Sequence, residues 1–369
     1  MSQPKIARVA AALKDRELDA LVLLPGPNLY YTLGLNQMLR KRPLLYAVFP
    51  DETLAVSLPG LEVPDFLTKW PAAEVISWTD ADGPEAAAKQ LGGLIRRRAA
   101  GPAPRVAAEF FTLRLYERGL MLGGLPGVEF VRAEDFLDRL RMIKDPEDVE
   151  AMRQACRIAE GSLERVMSRF RPGMTERQIA NELKIEMLRL GSEELPKEPV
   201  ISSGPRTAFP HTKTSDKPVA RGEALMIDTG ARCRGYCSDI TRTFFVGTPP
   251  QAYRDIYEAE LTVSRRVLAA IKPGVTLSDL DRLAHGVVDD AGFGKYFPHR
   301  VGHGLGIEGH EWPSVVTGNP IVTSPGLTFT VEPGIYVPEL GGVRVEENIA
   351  VSESGVDVLT AYPRELRTL

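Results

Sequence analysis

The rest of the chain is organised around residues Glu223 to Gly247, EALMIDTGARCRGYCSDITRTFFVG. Residues 224–228 are apolar until they end on Asp228, and residues 235–246 alternate aromatic or aliphatic side chains with Thr and Arg, which suits a pleated strand. We expect two antiparallel strands joined by a short polar turn, which places Asp228 and Asp239 on neighbouring strands about 5 Å apart. Two carboxylates this close repel each other unless a cation or a shared proton lies between them.

Length and charge limit the classes of protein that the sequence can encode. A chain of 369 residues exceeds the usual size of a domain with a single hydrophobic core, so we expect two domains. The formal charge of −4 is small, and the basic clusters at residues 40–42 and 96–98 are too short for a nucleic-acid footprint. No nucleic-acid partner is therefore expected.

Cysteine usage and the N-terminus bear on the compartment. The chain has three cysteines, Cys156, Cys233 and Cys237, and this odd number favours a reducing environment. No second Cys/His pair completes a zinc site with Cys233 and Cys237. The first 20 residues have apolar positions at helical spacing broken by charges, which predicts an amphipathic helix rather than a signal peptide. No apolar run reaches the roughly 20 residues that cross a bilayer, so we predict a cytoplasmic protein without a membrane partner.

The first part of the chain alternates short apolar strands with helical windows, which predicts an α/β layer domain. The domain boundary is placed near residues 142–146, where Asp145 and Pro146 resemble a helix N-cap and first turn. The predicted domains are therefore residues 1–142 and 143–369. The strands are expected at residues 20–24, 45–49, 54–57, 74–78, 105–109 and 128–131, and helices at 84–99 and 112–122.

The second part contains a weak internal echo. Residues 171–175 (RPGMT) and 272–276 (KPGVT) each follow a predicted long helix and precede another, with Thr175 and Thr276 as candidate N-caps. If the echo is a duplication, the domain has two similar halves, each made of helices and a sheet, and a cleft between the sheets is a natural place for a site.

Histidines and further acids point to chemistry in this domain. Three of the five histidines lie in residues 298–313 (PHRVGHGLGIEGHEWP), where glycines bring the backbone close to whatever the imidazoles face. His285 fits a structural position in a helix, and His299 a supporting one. Glu332 ends a β-rich run, and Glu346 is expected within a later strand, two residues after Arg344 on the same face.

Four carboxylates and one imidazole are too rich in oxygen for a structural zinc site. The set suits two divalent cations that share bridging carboxylates, with Mn favoured and Co or Zn possible. Two such ions at about 3.5–4 Å activate a water and polarise a carbonyl, which is the chemistry of metal-assisted hydrolysis.

Five segments resemble those of the "pita-bread" metallopeptidases, in the branch of Xaa-Pro dipeptidase (prolidase) and aminopeptidase P. The resemblance implies a creatinase-type, ribonuclease-H-like α/β N-terminal domain that serves substrate access and dimer contacts. It also implies an α+β pita-bread catalytic domain with pseudo-twofold halves. The segments are PHTKTSD (210–216), IDTGARCRGYCSDITRTF (227–244), GHGLGIEGHEWP (302–313), TVEPGIY (330–336) and GGVRVEEN (341–348).

The resemblance also implies roles for individual residues. The implied metal ligands are Asp228, Asp239, His303, Glu332 and Glu346, with Asp239 and Glu346 bridging the two ions. Glu332 would also handle protons, His211 and His310 would contact the substrate and stabilise the tetrahedral intermediate, and Arg344 would hold a bridging carboxylate. The implied substrates are proline-containing dipeptides or short peptides, and the implied assembly is a homodimer.

One position departs from the family pattern. Many prolidases have an Arg after the Pro of the His-Glu-x-Pro motif, where it grips the free carboxylate of the dipeptide, but this chain has Ser314. Arg206, Arg300 and the cluster at residues 40–42 are candidate replacements.

The leading hypothesis is a two-metal Xaa-Pro dipeptidase, and aminopeptidase P is the nearest enzyme alternative. Methionine aminopeptidases usually lack the first domain, and creatinase-type enzymes work without the metal ligands found here. From a different class, some proteins reuse this fold as a non-catalytic binding module, which the complete ligand set argues against.

Overall fold

The computed structural model describes residues 5–369 and divides into two compact units, one ending at Arg141 and one spanning Met142–Leu369. In the first unit, a six-stranded mixed sheet has the order β4-β3-β2-β1-β5-β6. Its elements are α1 (Ile6–Asp15), β1 (Ala20–Leu23), α2 (Pro27–Leu33), β2 (Leu45–Val48), β3 (Leu54–Pro59), α3 (Val63–Lys69), β4 (Glu74–Trp78), α4 (Glu85–Arg98), β5 (Arg105–Ala108), α5 (Leu115–Leu122), β6 (Glu129–Arg132) and α6 (Glu134–Met142).

All six strands predicted for this unit are present, with ends that differ by at most two residues. The short helices α2 and α3 were not predicted, because seven residues give too little apolar periodicity to recognise. A core of buried aliphatic side chains, including Val22, Val106 and Ile95, joins the sheet to α4. The predicted α/β character of this unit is therefore confirmed.

The second unit consists of two halves, each with two long helices against a sheet that is antiparallel apart from the parallel pairing of β11 with β19 in the first half. The first half packs α7 and α8 on a sheet of order β19-β11-β8-β7, and the second packs α9 and α10 on β13-β12-β14-β17-β18. The elements are α7 (Pro146–Arg169), α8 (Glu176–Arg189), β7 (Val200–Ser203), β8 (Ala224–Thr229), β9 (Arg232–Cys233), β10 (Tyr236–Cys237), β11 (Ile240–Phe245), α9 (Gln251–Ala270), α10 (Leu277–Asp290), β12 (Gly302–Gly304), β13 (Glu311–Val315), β14 (Thr328–Val331), β15 (Gly334–Val337), β16 (Gly341–Arg344), β17 (Glu347–Val351), β18 (Val356–Val358) and β19 (Arg367–Thr368).

The sequence echo corresponds to a repeated backbone arrangement. Thr175 caps α8 by accepting from Gln178 N, and Thr276 caps α10 by accepting from Asp279 N. Each threonine also bridges to a distant extended segment, Thr175 to Pro218 and Thr276 to Val322. The flanking bonds repeat as well: Gly173 N to Val219 O (2.8 Å), Val219 N to Met174 O (2.9 Å), Gly274 N to Thr323 O (2.9 Å) and Thr323 N to Val275 O (2.8 Å). The predicted pseudo-twofold halves are confirmed.

The predicted continuous strand over residues 235–246 is wrong. The chain forms a small β9–β10 hairpin, leaves strand geometry at residues 238–239, and resumes as β11. Asp239 therefore lies immediately before β11 rather than within it. The reason is that three consecutive N–H groups bond outside the β8–β11 ladder: Cys237 N to Gly306 O (2.7 Å), Ser238 N to Ala231 O (2.9 Å) and Asp239 N to Asn348 Oδ1 (2.9 Å).

The two capping threonines provide a test of the repeat. We expect Thr175→Ala and Thr276→Ala each to lower the free energy of unfolding by about 1 kcal/mol, because each removes a side-chain acceptor from a helix N-terminus. The double variant should lose the sum, since the two caps lie in separate halves. Urea denaturation of the full chain measures the effect. Thr262→Ala is the control, because the hydroxyl of Thr262 bonds Glu258 O within α9 and is exposed; a loss as large as that of the caps would contradict the assignment.

Candidate metal centre

The five residues implied as metal ligands all lie in the second unit, at or beside the ends of strands. Asp228 is in β8 opposite Thr241 of β11. The first half contributes the two aspartates, and the second half contributes the histidine and the two glutamates. Asp239 directly precedes β11, His303 is the middle residue of β12, Glu332 directly follows β14, and Glu346 lies between β16 and β17.

The structure brings these side chains together. One ligand atom from each of Asp228, Asp239 and Glu346 lies within 4.8 Å of the other two, and the same holds for His303, Glu332 and Glu346. Glu346 belongs to both groups. The arrangement therefore offers two adjacent cation positions with a carboxylate in common. A third group joins Asp239 and His303 to His310.

Glu346 itself is not within a strand, contrary to the prediction. The ladder breaks because Val345 N donates to the buried Glu260 Oε1 (3.2 Å) and Glu346 N donates to Thr241 O (3.1 Å) in the other half. Thr241 also donates its hydroxyl to Glu346 Oε2 at 2.6 Å. The break turns the Glu346 carboxylate toward the acids of the first half.

His303 is oriented by its backbone contacts. Its Nδ1 lies 3.0 Å from Gly304 O, which favours a proton on Nδ1, and its Nε2 lies 3.2 Å from Glu332 Oε1. A protonated Nε2 donates to this carboxylate, and a deprotonated Nε2 presents its lone pair to a cation instead. The ring also stacks on that of His310, with centroids 3.7 Å apart and an interplanar angle of 20°. Nε2 is therefore the atom able to bind a metal.

A lysine that the sequence analysis did not single out lies in the same cluster. The Lys197 ammonium contacts both Asp228 Oδ1 and Asp239 Oδ1. Burial opposes its charge, but the attraction of these two carboxylates raises the pKa of Lys197 overall. Lys197 thus neutralises the acid pair whose repulsion the sequence predicted. It comes from the loop before β7, where no periodic pattern signals a functional residue.

Burial and neighbouring charges shift the pKa values of the four acids in different directions. Burial raises the pKa of Asp239 to about 6 against the attraction of Lys197, and burial together with the charge of Asp239 raises the pKa of Glu346. In Asp228 the effect of burial is outweighed by Lys197 and Arg344, so the pKa is lowered. In Glu332 it is outweighed by the bond with His303, which brings the pKa to about 2. Acids whose pKa values are shifted in opposite directions are typical of functional sites.

Arg344 holds two of the acids in place through hydrogen bonds. Its Nη2 donates to Asp228 Oδ2 (2.8 Å) and its Nε to Thr241 Oγ1 (3.1 Å), so it reaches both the first acid and the hydroxyl that holds Glu346. Its Nη1 donates to Tyr336 OH (3.0 Å), which in turn lies 2.9 Å from His299 Nε2. His299 is thus connected to the cluster through Tyr336, a residue that the sequence analysis quoted within a motif without assigning it a role.

The two histidines implied as substrate contacts are exposed, unlike the buried His303. His310 nevertheless stacks on His303, and the partial desolvation of its ring together with the charge of His303 lowers the pKa of His310 to about 4, so its imidazole is neutral at physiological pH. His211 follows the short helical turn Gly204–Ala208 and lies close enough to His299 for its charge to help lower the pKa of that ring. Both are accessible to a molecule that approaches the cluster.

The donor set fits hard divalent cations. Carboxylate oxygens outnumber the one imidazole nitrogen, and neither group of donors that contains Glu346 includes a thiolate. A cation near Asp228 and Asp239 would displace the Lys197 ammonium, which already marks that position as cationic. The ligand assignment itself stays a prediction.

Comparison with known proteins agrees with this geometry. Residues 150–353 match the profile of metallopeptidase family M24, and residues 5–143 match the creatinase/prolidase N-terminal domain. The chain therefore belongs to metallopeptidase family M24, which confirms the resemblance seen in the sequence. Membership of this metallopeptidase family implies divalent metal ions.

Three similar proteins show how far the likeness extends. A Xaa-Pro dipeptidase of Pyrococcus horikoshii is 30% identical over 369 residues, 98% of each chain. The crystal structure of a prolidase from Thermococcus sibiricus superposes with a TM-score of 0.92 at 28% identity, over 100% of both chains. That of an X-Pro aminopeptidase from Thermotoga maritima gives 0.84 at 28% identity, over 96% of this chain and 99% of the other. The likeness thus covers both units and both branches.

Lys197 can be tested independently of catalysis. We expect Lys197→Met to tighten binding of Mn²⁺ to the metal-stripped protein roughly tenfold, because the competing ammonium is gone. The metal-stripped variant should also melt at a lower temperature, since Asp228 and Asp239 then repel each other. Isothermal titration calorimetry and thermal melting measure the two effects. Lys184→Met, which removes a surface ion pair with Glu198, is the matched control; equal behaviour of the two variants would refute a role for Lys197 in the centre.

Proposed function

We propose that this chain is a dinuclear metal-dependent peptidase that hydrolyses the bond between an N-terminal residue and a following proline, with Xaa-Pro dipeptides as preferred substrates. The observation that carries the proposal is the convergence of Asp228, Asp239, His303, Glu332 and Glu346 on two cation positions that share Glu346. Membership of a metallopeptidase family and full-length similarity to a Xaa-Pro dipeptidase support it.

By proximity, Asp228, Asp239 and Glu346 would hold the first ion, and His303, Glu332 and Glu346 the second. The family resemblance adds Asp239 as a second ligand common to both ions. Bound divalent ions would supply a water of lowered pKa and a Lewis acid for the scissile carbonyl. The oxygen-rich set favours Mn, with Co or Zn as alternatives.

The remaining chemistry belongs to side chains. Glu332, ionised and beside the second position, accepts a proton from the attacking water and returns it to the departing proline nitrogen. His310 and His211 donate hydrogen bonds to the oxyanion that develops on the carbonyl. Arg344 keeps Asp228 and, through Thr241, Glu346 in place during the reaction.

Aminopeptidase P activity on longer Xaa-Pro peptides is the second candidate. Ser314 favours it, because the family position that carries a carboxylate-binding Arg in many prolidases has a hydroxyl here. Similarity to an X-Pro aminopeptidase over nearly the whole chain also supports it.

The cellular setting is part of the proposal. Cys156, Cys233 and Cys237 are all unpaired, which fits the reducing cytoplasm. No helix among residues 5–369 is long and apolar enough to cross a membrane. A homodimer, and roles of the first domain in dimer contacts and substrate access, stay predictions from the family resemblance.

Substrate length and chelation test the activity. We expect the Mn²⁺-loaded protein to hydrolyse Ala-Pro with a higher kcat/KM than Ala-Pro-Ala, to lose activity in EDTA, and to regain it with Mn²⁺. Liberated alanine, measured by chromatography, reports both reactions. Preference for the tripeptide would favour aminopeptidase P, and activity that is indifferent to EDTA would end the metal proposal.

Variants separate ligands from substrate contacts. We expect Asp239→Ala or Glu346→Ala to remove bound metal and activity together, because each takes a donor from both cation positions. His211→Ala should retain the metal while kcat falls by roughly 10²–10³-fold, the usual effect of losing an oxyanion donor. Elemental analysis beside steady-state kinetics measures both. Asp255→Ala, on the exposed face of α9, is the control; metal loss in His211→Ala would overturn the assigned role.

A further inference from the structure

Four cations of the second unit either contact the predicted acidic ligands or are candidates for the substrate carboxylate, and three of them are already paired. Lys197 contacts Asp228 and Asp239, and Arg344 donates to Asp228. Arg206, one candidate for the substrate carboxylate, bonds Glu176 Oε1 (3.3 Å) and Lys213 O (2.5 Å). These positive charges serve the protein's own acids and carbonyls.

Arg300 is the exception. Its Nη1 donates to Ser314 Oγ at 2.9 Å, and within residues 5–369 no carboxylate pairs with the guanidinium. The side chain is half-buried, so it is held in place without being sealed from solvent. A guanidinium has five N–H donors in a fixed fork that matches a carboxylate. Most of its donors thus stay available for an anion.

The position of Arg300 relates it to the predicted centre. Ser314 lies directly opposite His303 in the β12–β13 pairing, so the guanidinium contacts the residue next to a predicted ligand. The charge of Arg300 also contributes to lowering the pKa of His310, after the larger effects of partial desolvation and of the charge of His303. An anion bound by Arg300 would therefore lie on the side of the centre where His310 is stacked on His303.

We propose that Arg300, oriented by Ser314, binds the free carboxylate of the proline residue and so makes this chain selective for dipeptides. The inference rests on the proposed function and refines it, because it names the group that recognises the C-terminal end of the substrate. Ser314 has no charge with which to bind a carboxylate. Its hydroxyl oxygen accepts a hydrogen bond from one N–H of Arg300 and so fixes the direction of the guanidinium. A longer peptide has an uncharged peptide group at that position and gains nothing from the guanidinium.

The test compares Ala-Pro with Ala-Pro-amide, which lacks the negative charge, using the Mn²⁺-loaded protein. For Arg300→Gln, we expect kcat/KM for Ala-Pro to fall about 30–150-fold, mainly through KM, as for the loss of a hydrogen-bonded charge of about 2–3 kcal/mol. The value for Ala-Pro-amide should change by less than about threefold. Arg300→Lys should retain part of the preference, which guards against a variant that merely folds poorly. Arg265→Gln, on the exposed surface of α9, is the control.

An exchange of positions makes the test stricter. The double variant Arg300→Ser with Ser314→Arg attaches the guanidinium to β13 instead. We expect this variant to regain at least part of the preference for Ala-Pro over Ala-Pro-amide that Arg300→Gln loses. Equal losses on both peptides in Arg300→Gln would show a structural role and overturn the inference. Preference of the unaltered protein for Ala-Pro-Ala over Ala-Pro would overturn it too, while leaving Xaa-Pro peptidase activity intact.

Binding of the product separates this inference from the proposed activity. Calorimetric titration with L-proline and L-prolinamide should show at least about tenfold tighter binding of L-proline to the unaltered protein, and no preference in Arg300→Gln. If the protein cleaves neither peptide, the proposed function falls, and this titration alone decides the assignment: equal binding of the two compounds by the unaltered protein refutes it.

Discussion

Mutual repulsion among buried carboxylates is the constraint on which the second unit depends. Asp228, Asp239 and Glu346 offer oxygens within 4.8 Å of one another. At the effective dielectric of a partly buried site, two unit charges 4 Å apart interact by about 4 kcal/mol. A fold that keeps three such groups together needs positive charge at the same place. Lys197 and Arg344 supply it within the chain, and divalent cations would supply it more fully.

The fold meets this constraint by bringing acids from two halves to one point and joining the halves there. Asn348 of β17 accepts from Asp239 N and donates to Asp239 O, so one amide side chain replaces the strand bonds that residue 239 gives up. The reciprocal tie runs from Glu346 N to Thr241 O. Each half therefore fixes an acid of the other. The two strand interruptions at which Asp239 and Glu346 lie follow from these crossed bonds, and both acids are aimed by tertiary rather than local structure.

This distinction explains what the sequence could and could not predict. Local rules sufficed for the strands of the first unit and for the capping threonines, because alternation and N-cap chemistry depend on near neighbours. The motifs identified the four acids and the one imidazole that the structure brings together. The interruptions at Asp239 and Glu346 were missed because the partners of their N–H groups lie about a hundred residues away. Lys197 was missed because nothing in its loop indicates that its ammonium reaches two aspartates.

A supporting network of hydrogen bonds links the acids of the centre to the segment that carries Arg300. Arg344 donates to Asp228, Thr241 and Tyr336, and Tyr336 continues to His299, whose Nδ1 is fixed by Arg300 O at 2.8 Å. Burial lowers the pKa of His299, so this ring stays neutral and accepts the tyrosine hydroxyl. The chain of contacts ends at the backbone of the residue whose guanidinium faces Ser314. The segment that orients the acids is thus continuous with the segment that carries Arg300, and a rigid spacing between bond-breaking groups and a carboxylate-binding cation is what selection for a two-residue substrate requires.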